Sequence, residues 1–295
     1  MKQMHLLCAA KVNLSLDVTG RRPDGYHTLD SIFQTISVYD KLSVSVQEGE
    51  GISLTCNLPY IPCDERNLAY RAASALLERA GLQRRAEIRL QKRIPSGAGM
   101  GGGSADAAGV LFALNRLLRC QLPDEELRAI GLTLGADVPF LLLGGTARAQ
   151  GVGELLTPLR PLPELPMVIV KGRQSISTPK AYAAIDALSA PAHPDTKAML
   201  ESVESRDIGL LCRSCGNLFE AVADCRDVTL AKEALTREGA RCAVMTGSGS
   251  AVFGIFPTHS AARSACTRLR EEFPFAYYCR SVKDSFVVLR KQAER

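Results

Sequence analysis

The sequence predicts an α+β protein built as two domains with a cleft between them. Three observations carry that reading. Short segments that alternate apolar with polar residues recur along the chain, and amphipathic helical segments lie between them. A stretch with four prolines, Thr157 to Pro166, divides residues 1–160 from residues 161–295. A glycine-rich segment, Pro95 to Ala108 (PSGAGMGGGSADAA), runs straight into an apolar helical pattern at Ala107, Ala108, Leu111, Leu114 and Leu118.

The first element is Cys8 to Val18. Cys8, Ala10, Val12, Leu14, Leu16 and Val18 fall on one face and Lys11, Asn13, Ser15 and Asp17 on the other, the pattern of a half-buried strand. By pattern alone the polar face is solvated, although Lys11 and Asn13 can also point at one ligand. Pro23-Asp24-Gly25 is a turn, with Tyr26 and His27 just beyond it. Ser31 to Val38, Lys41 to Gln47 and Gly51 to Cys56 read as short strands with polar turns. Asn67 to Ala80 is an amphipathic helix stopped by Gly81. Ala86 to Arg93 alternates and is expected as a half-exposed antiparallel strand.

The glycine segment follows. Glycine permits φ > 0 and close approach of a ligand to the backbone. A helix opening directly after it presents unpaired N–H groups and the positive end of its dipole, which is a phosphate site. A flexible linker seldom opens a well-formed amphipathic helix. No Gly-Lys-Ser/Thr follows, so this is not a Walker loop. Gly97, Gly99 and Gly102 satisfy G-x-G-x-x-G, but the strand before them alternates, whereas a dinucleotide fold puts a buried parallel strand there. No H-R-D or D-F-G set marks a protein kinase.

Pro123 to Leu134 opens with acidic residues suited to a helix start. In Leu134 to Phe140 (LGADVPF) Asp137 is a lone acid among apolar residues. It is either a cap or a carboxylate needing a cation, for which Lys11 is the candidate. Met167 to Val170 is a buried strand. Thr178 and Pro179 open a helix as N-cap and first helical residue, and Tyr182 lies within it. Ser189 to Thr196 is a loop, and helical patterns fill Lys197 to Glu238. Cys242–Thr246 and Ala251–Phe256 read as paired strands around Gly247-Ser248-Gly249-Ser250. A helix over His259–Glu272 and a strand near Ser285–Leu289 end the chain.

Composition narrows the class. The 295 residues, 46% hydrophobic and 23% charged, describe a soluble globular protein too large for one small core. A net charge of +5 suits an anionic substrate, and without a dense basic patch it does not call for nucleic acid. No apolar run reaches the roughly 18 residues of a membrane span. Met1 to Cys8 carries no long apolar signal region, so a cytoplasmic location and no membrane partner are expected. Ten scattered cysteines, including the isolated pair Cys212 and Cys215, are read as reduced thiols, and no metal ligand is assigned.

PSGAGMGGGSADAA resembles the phosphate loop of the superfamily of galactokinase, homoserine kinase, mevalonate kinase and phosphomevalonate kinase, roughly P-x-x-x-G-L-G-S-S-A. Met100 stands where Leu is usual, a volume-conserving swap, and Ala105 where a second Ser is common. Ala10-Lys11-Val12-Asn13-Leu14 resembles the family's first motif and TGSGSAVFGIF its third. GRRPDGYHTLDSIFQ and LGADVPF resemble one branch, whose acceptor is a small alcohol bearing a cytidine diphosphate group, on the non-mevalonate isoprenoid route. The resemblance implies the two-domain fold of this kinase family, with ATP as donor and Mg²⁺ expected alongside it. It implies Asp137 as base and Lys11 as its electrostatic partner. Phosphates would lie on Pro95, Ser96, Gly97, Ala98, Gly99, Met100, Gly101, Gly102, Gly103, Ser104 and Ala105. Asn13, Tyr26, His27 and Tyr182 would bind the acceptor, Tyr26 and Tyr182 sandwiching the cytosine and His27 reading its edge. A kinase of the same superfamily for another alcohol, and a nucleic-acid-binding α+β module, are the rival readings.

Overall fold

Two long antiparallel strands, β1 (Lys2–Arg21) and β2 (His27–Gln47), form the spine of the molecule, joined across the Pro23-Asp24-Gly25 turn. The computed structural model describes residues 2–289. The apolar face of β1 is buried as its alternation predicts, but Lys11, Asn13, Ser15 and Asp17 on the polar face are buried too. Two separate strands were expected over Ser31–Gln47. The structure has one, because Asp40 is not a turn residue: its carboxylate is fully buried and accepts the N–H of Ile94 at 2.9 Å. The irregularity lies instead in the pairing, where the register shifts between Ala9 and Ala10 opposite Tyr39 and Ile36.

β3 (Ile52–Cys56) leads to α1 (Leu68–Arg79), whose first turn is capped by the Asn67 side chain accepting from the Ala69 N–H. β4 (Arg85–Gln91) pairs antiparallel with β2 and parallel with β3, and its buried and exposed residues alternate as the sequence indicates. α2 (Gly102–Leu118) follows the glycine loop and is buried along most of its length. α3 (Asp124–Leu134) and α4 (Val138–Leu143) follow, then the hairpin β5 (Thr146–Gly151) and β6 (Leu155–Pro158).

Beyond the prolines come β7 (Pro166–Lys171), α5 (Thr178–Asp186), α6 (Thr196–Ser205) and α7 (Ile208–Ser214). Then follow β8 (Gly216–Asn217), a 3-10 turn over Leu218–Val222 and α8 (Arg226–Arg237), so the helical run expected over 197–238 is broken in its middle. β9 (Cys242–Met245), β10 (Val252–Ile255), α9 (His259–Glu272), β11 (Phe275–Arg280) and β12 (Phe286–Leu289) complete the chain. The N-cap of α5 is Ser177, not Thr178; Thr178 is the first helical residue and shares a 2.7 Å hydrogen bond with the Ser248 hydroxyl.

One sheet has eight strands, with path β12-β1-β2-β4-β3, β5 and β6 attached to β2, and β8 to β1. The other is antiparallel with order β11-β7-β10-β9. A single cut after residue 160 therefore does not separate the sheets, because β8 and β12 return to β1. The larger hydrophobic core continues from Leu14 and Ile36 of the first sheet to Ile169 and Phe253 of the second, and that continuity fixes the cleft between them.

Candidate active site

The glycine loop is shaped by two backbone encounters. Gly97, Gly99 and Gly101 take positive φ, and α2 begins at Gly102. At Gly99 a Cβ would sit 2.0 Å from the Thr246 carbonyl oxygen, and at Gly247 a Cβ would sit 2.8 Å from the Gly99 Cα. The loop thus crosses the β9–β10 connection backbone to backbone, which only glycine permits. The Thr246 hydroxyl donates to the Gly99 carbonyl at 3.3 Å, and the Ala251 N–H to the Ala98 carbonyl at 3.3 Å.

The loop separates two cavities and lines both through Gly97, Gly99 and Gly101. The smaller, about 300 Å³, is bounded by Asn67, Lys92, the run Pro95 to Gly103 and Asp106. The larger, about 370 Å³, is bounded by Lys11, Ser104, Asp137, Tyr182, Phe219 and the Gly247–Gly249 segment, among others. The helix start of α2 lies at the partition, so a group bound across it meets free N–H donors and the positive helix end. Ala98, Met100 and Ala105 of the expected loop turn their side chains into the core, and Ala105 lines neither cavity. Any contribution they make to an anion is through backbone.

Lys11 and Asp137 meet in the larger cavity, their Nζ and Oδ2 3.5 Å apart. Lys11 is 3% exposed, while the Asp137 side chain, just before α4, is 32% exposed. A cation this buried requires partners. Besides Asp137, Lys11 donates to Asn13 Oδ1 at 2.8 Å and lies 4.8 Å from the centre of the Phe33 ring. Asn13 was expected to face the acceptor. It lines the cleft, yet its Oδ1 also accepts from the Gly247 N–H at 3.0 Å and its Nδ2 donates to the Ser31 hydroxyl at 2.8 Å. Its amide ties β1 to the second sheet and holds the ammonium of Lys11 in place.

A second ionic cluster, absent from the sequence reading, closes the base of the loop. Lys92, just after β4, bonds to Asp40, to Asp106 at 2.6 Å and to the Gly102 carbonyl at 3.1 Å. All three side chains are buried. Asp40 reaches the loop's first end through the N–H groups of Arg93 and Ile94; Lys92 and Asp106 reach its second at α2. Burial pushes the Asp106 carboxyl up, with Asp40 adding to the rise and Lys92 opposing it. Burial works against the Lys92 ammonium, but Asp106 and Asp40 outweigh it and raise Lys92. Asp106 sits between Ala105 and Ala107 in an apolar helix, the same lone-acid signal that marked Asp137.

The aromatic end of the cleft differs from expectation. Tyr182 does not face Tyr26. Its ring stacks on His27, centroids 4.5 Å apart and planes 20° from parallel, and meets the Phe219 edge at 4.9 Å. Burial, and then the charge of Asp137, push the Tyr182 phenol up to about 12, so it stays protonated. His27 Nε2 is 2.7 Å from Asp186 Oδ1, another residue the sequence did not mark. Tyr26, 67% exposed, and His27 line neither cavity; Tyr182 lines the larger one.

Family models agree with this architecture. Residues 67–145 match the GHMP kinases N terminal domain and residues 199–274 the GHMP kinases C terminal domain. A 4-diphosphocytidyl-2-C-methyl-D-erythritol kinase of Clostridium botulinum is 38% identical over 281 residues, covering 95% of this chain and 100% of that protein. One from Alkaliphilus metalliredigens is 40% identical over 91% of this chain and 93% of its own. A crystal structure of 4-(cytidine 5'-diphospho)-2C-methyl-D-erythritol kinase superposes with TM-score 0.81 at 39% identity, covering 95% of this chain and 100% of that one. Homoserine kinase from Cytophaga hutchinsonii, 19% identical over 98% of both chains with TM-score 0.75, shares the fold.

Proposed function

This chain belongs to the GHMP kinase family, and we propose that it transfers the γ-phosphoryl group of ATP to the 2-hydroxyl of 4-diphosphocytidyl-2-C-methyl-D-erythritol, a step of the non-mevalonate isoprenoid route. One observation carries the chemistry: the Lys11–Asp137 pair stands in the cavity that meets the glycine loop and the start of α2. ATP lies in the smaller cavity with its phosphates over Gly97 to Gly103 and its γ-phosphoryl at the partition. The alcohol lies in the larger cavity, its cytidine end toward Tyr182 and His27. Asp137 accepts or orients the hydroxyl proton, and Lys11 offsets negative charge at the attacking oxygen. Phosphoryl transfer depends mostly on such positioning and electrostatics.

Among the described residues no group of three or more His, Cys, Asp or Glu side chains could hold a metal ion. A Mg²⁺ carried by ATP would need few protein oxygens, since it keeps phosphate and water ligands. Ser104 is an oxygen donor on the cleft wall that would be available to it. The ion, when bound, neutralises charge on the transferring group. Among the described residues no helix is long and apolar enough to cross a membrane, and we place the protein in the cytoplasm. The cysteines support no separate activity in this reading. The test is ADP formation by purified protein given ATP and the cytidine-diphosphate alcohol, with phosphorus NMR of the product. A new phosphomonoester is expected. No acceptor-dependent ADP, or better turnover of mevalonate or homoserine, would refute the assignment.

A further inference from the structure

Asp186, at the end of α5, uses both carboxylate oxygens. Oδ1 is 2.7 Å from His27 Nε2 and Oδ2 is 3.4 Å from Arg21 Nη1. The hydrogen bond from His27, the largest of the causes, holds the Asp186 carboxyl below its ordinary value. An ionised carboxylate can only accept, so the hydrogen in this bond belongs to Nε2. In the neutral imidazole that leaves Nδ1 with a lone pair. The ring is not free to exchange its two nitrogens: it is stacked on Tyr182, and its side chain is 10% exposed. Nδ1 itself has no partner among the described residues and is not among the buried unpaired atoms. The outcome is a fixed acceptor atom on a ring stacked against Tyr182; Tyr182 lines the larger cavity and His27 stands behind that lining.

We infer that Asp186, through the tautomer it imposes on His27, makes the acceptor subsite select an amino-pyrimidine over a keto-pyrimidine, cytosine over uracil. The inference rests on the acceptor reading above and deepens it. Cytosine presents an exocyclic N4–H₂ donor where uracil presents an O4 acceptor. The Nδ1 lone pair bonds the first and repels the second. Asp186 touches neither base nor phosphate and acts through His27, as a positioning residue. Arg21 supports it by holding the second oxygen.

The test compares kcat/KM for the cytidine-diphosphate alcohol and its uridine counterpart in the wild type, Asp186→Asn and Asp186→Glu. An amide can donate as well as accept, so Asn no longer fixes the tautomer. Expected is a drop of about 10–100-fold for the cytidine substrate in Asp186→Asn, the scale of one hydrogen bond mismatched. Turnover of the uridine substrate should hold or rise, the KM for ATP should not change, and Asp186→Glu should keep the cytidine preference. The ¹⁵N shifts of the His27 ring should show a proton on Nε2 in the wild type and a mixture in Asp186→Asn. An equal loss for both substrates would mean a packing role only and overturn the inference. So would an unchanged preference in Asp186→Asn. If the wild type leaves the cytidine substrate unphosphorylated, the acceptor reading falls and this inference with it; if it phosphorylates that substrate and only the variant's preference persists, the inference alone falls.

Discussion

Gly99→Ala should damage both the fold and the nucleotide site, and the magnitude follows from the crossing of two backbones. The residue has φ +73°, a region that costs an L-residue about 1–2 kcal/mol. The added Cβ would lie 2.0 Å from the Thr246 carbonyl oxygen and 3.2 Å from the Gly247 Cα. These are backbone atoms, so no rotamer change relieves the overlap, and separating the segments costs a further ~1–3 kcal/mol. The hydrogen bonds from Thr246 to the Gly99 carbonyl and from Ala251 to the Ala98 carbonyl stretch with it. A total of about 2–5 kcal/mol corresponds to a Tm lower by about 3–8 °C for a chain of this size. Gly103→Ala is the control: its Cβ would meet only Leu68 Cδ1, at 3.7 Å, and its Tm should not fall. Thermal unfolding with and without ATP, and calorimetric titration of ATP, read the outcome. Gly99→Ala with the wild-type Tm and ATP affinity would refute the seam between the two loops.

Two further outcomes follow from the site. The Asp106 carboxyl is raised from 3.8 to about 7, by burial first, with Lys92 opposing and Asp40 adding, so its stabilising share is complete below its unfolded value and is lost as pH rises through the folded one. Asp106→Asn should therefore flatten the fall of Tm between about pH 4 and 7, and an unchanged slope on thermal melts across that range would deny the strained ionised form. Tyr182→Ala removes the ring stacked on His27, so KM for the cytidine substrate should rise about 10–100-fold. KM for ATP should hold, and steady-state kinetics showing the rise on ATP instead would move the acceptor elsewhere.

Much of the fold was legible because periodicity reports which face is apolar. The β4 alternation, the α1 helix with its Asn67 start and the opening of α2 all appear where the pattern puts them. What periodicity does not report is what covers a polar face. Asn13 looked half exposed because its cover, Thr246 and Gly247, lies more than two hundred residues away. The same blindness split β2 at Asp40, a polar residue buried by partners from Lys92 to Ile94. In the site, Asp137 and the glycine loop carried local signals, a lone acid and a Gly-rich helix start, whereas Lys11 stood out through the family resemblance and as the cation Asp137 needed. The His27–Tyr182 stack was not foreseen, since the Asp186 carboxylate that meets His27 lies 159 residues along the chain. Gly101, read as a pure ligand-approach position, is also a packing position: a Cβ there would meet Lys11 Cγ and Leu141 Cδ1 at 3.3 Å. A substitution at Gly101 would therefore disturb the Lys11–Asp137 pair as well as the phosphates.

The central claim is that Asp137, paired with Lys11 at 3.5 Å, handles the acceptor proton. The direct measurement is kcat of Asp137→Asn with ATP and the cytidine-diphosphate alcohol both saturating. The side chain is partly exposed and the amide is nearly isosteric, so the variant should fold with the wild-type circular dichroism spectrum. The account predicts kcat lower by about 10²–10⁴-fold, the usual loss when a general base is removed, with the KM for ATP nearly unchanged. Turnover within a few-fold of the wild type at saturation would contradict it and leave the Lys11–Asp137 pair a structural feature of the cleft.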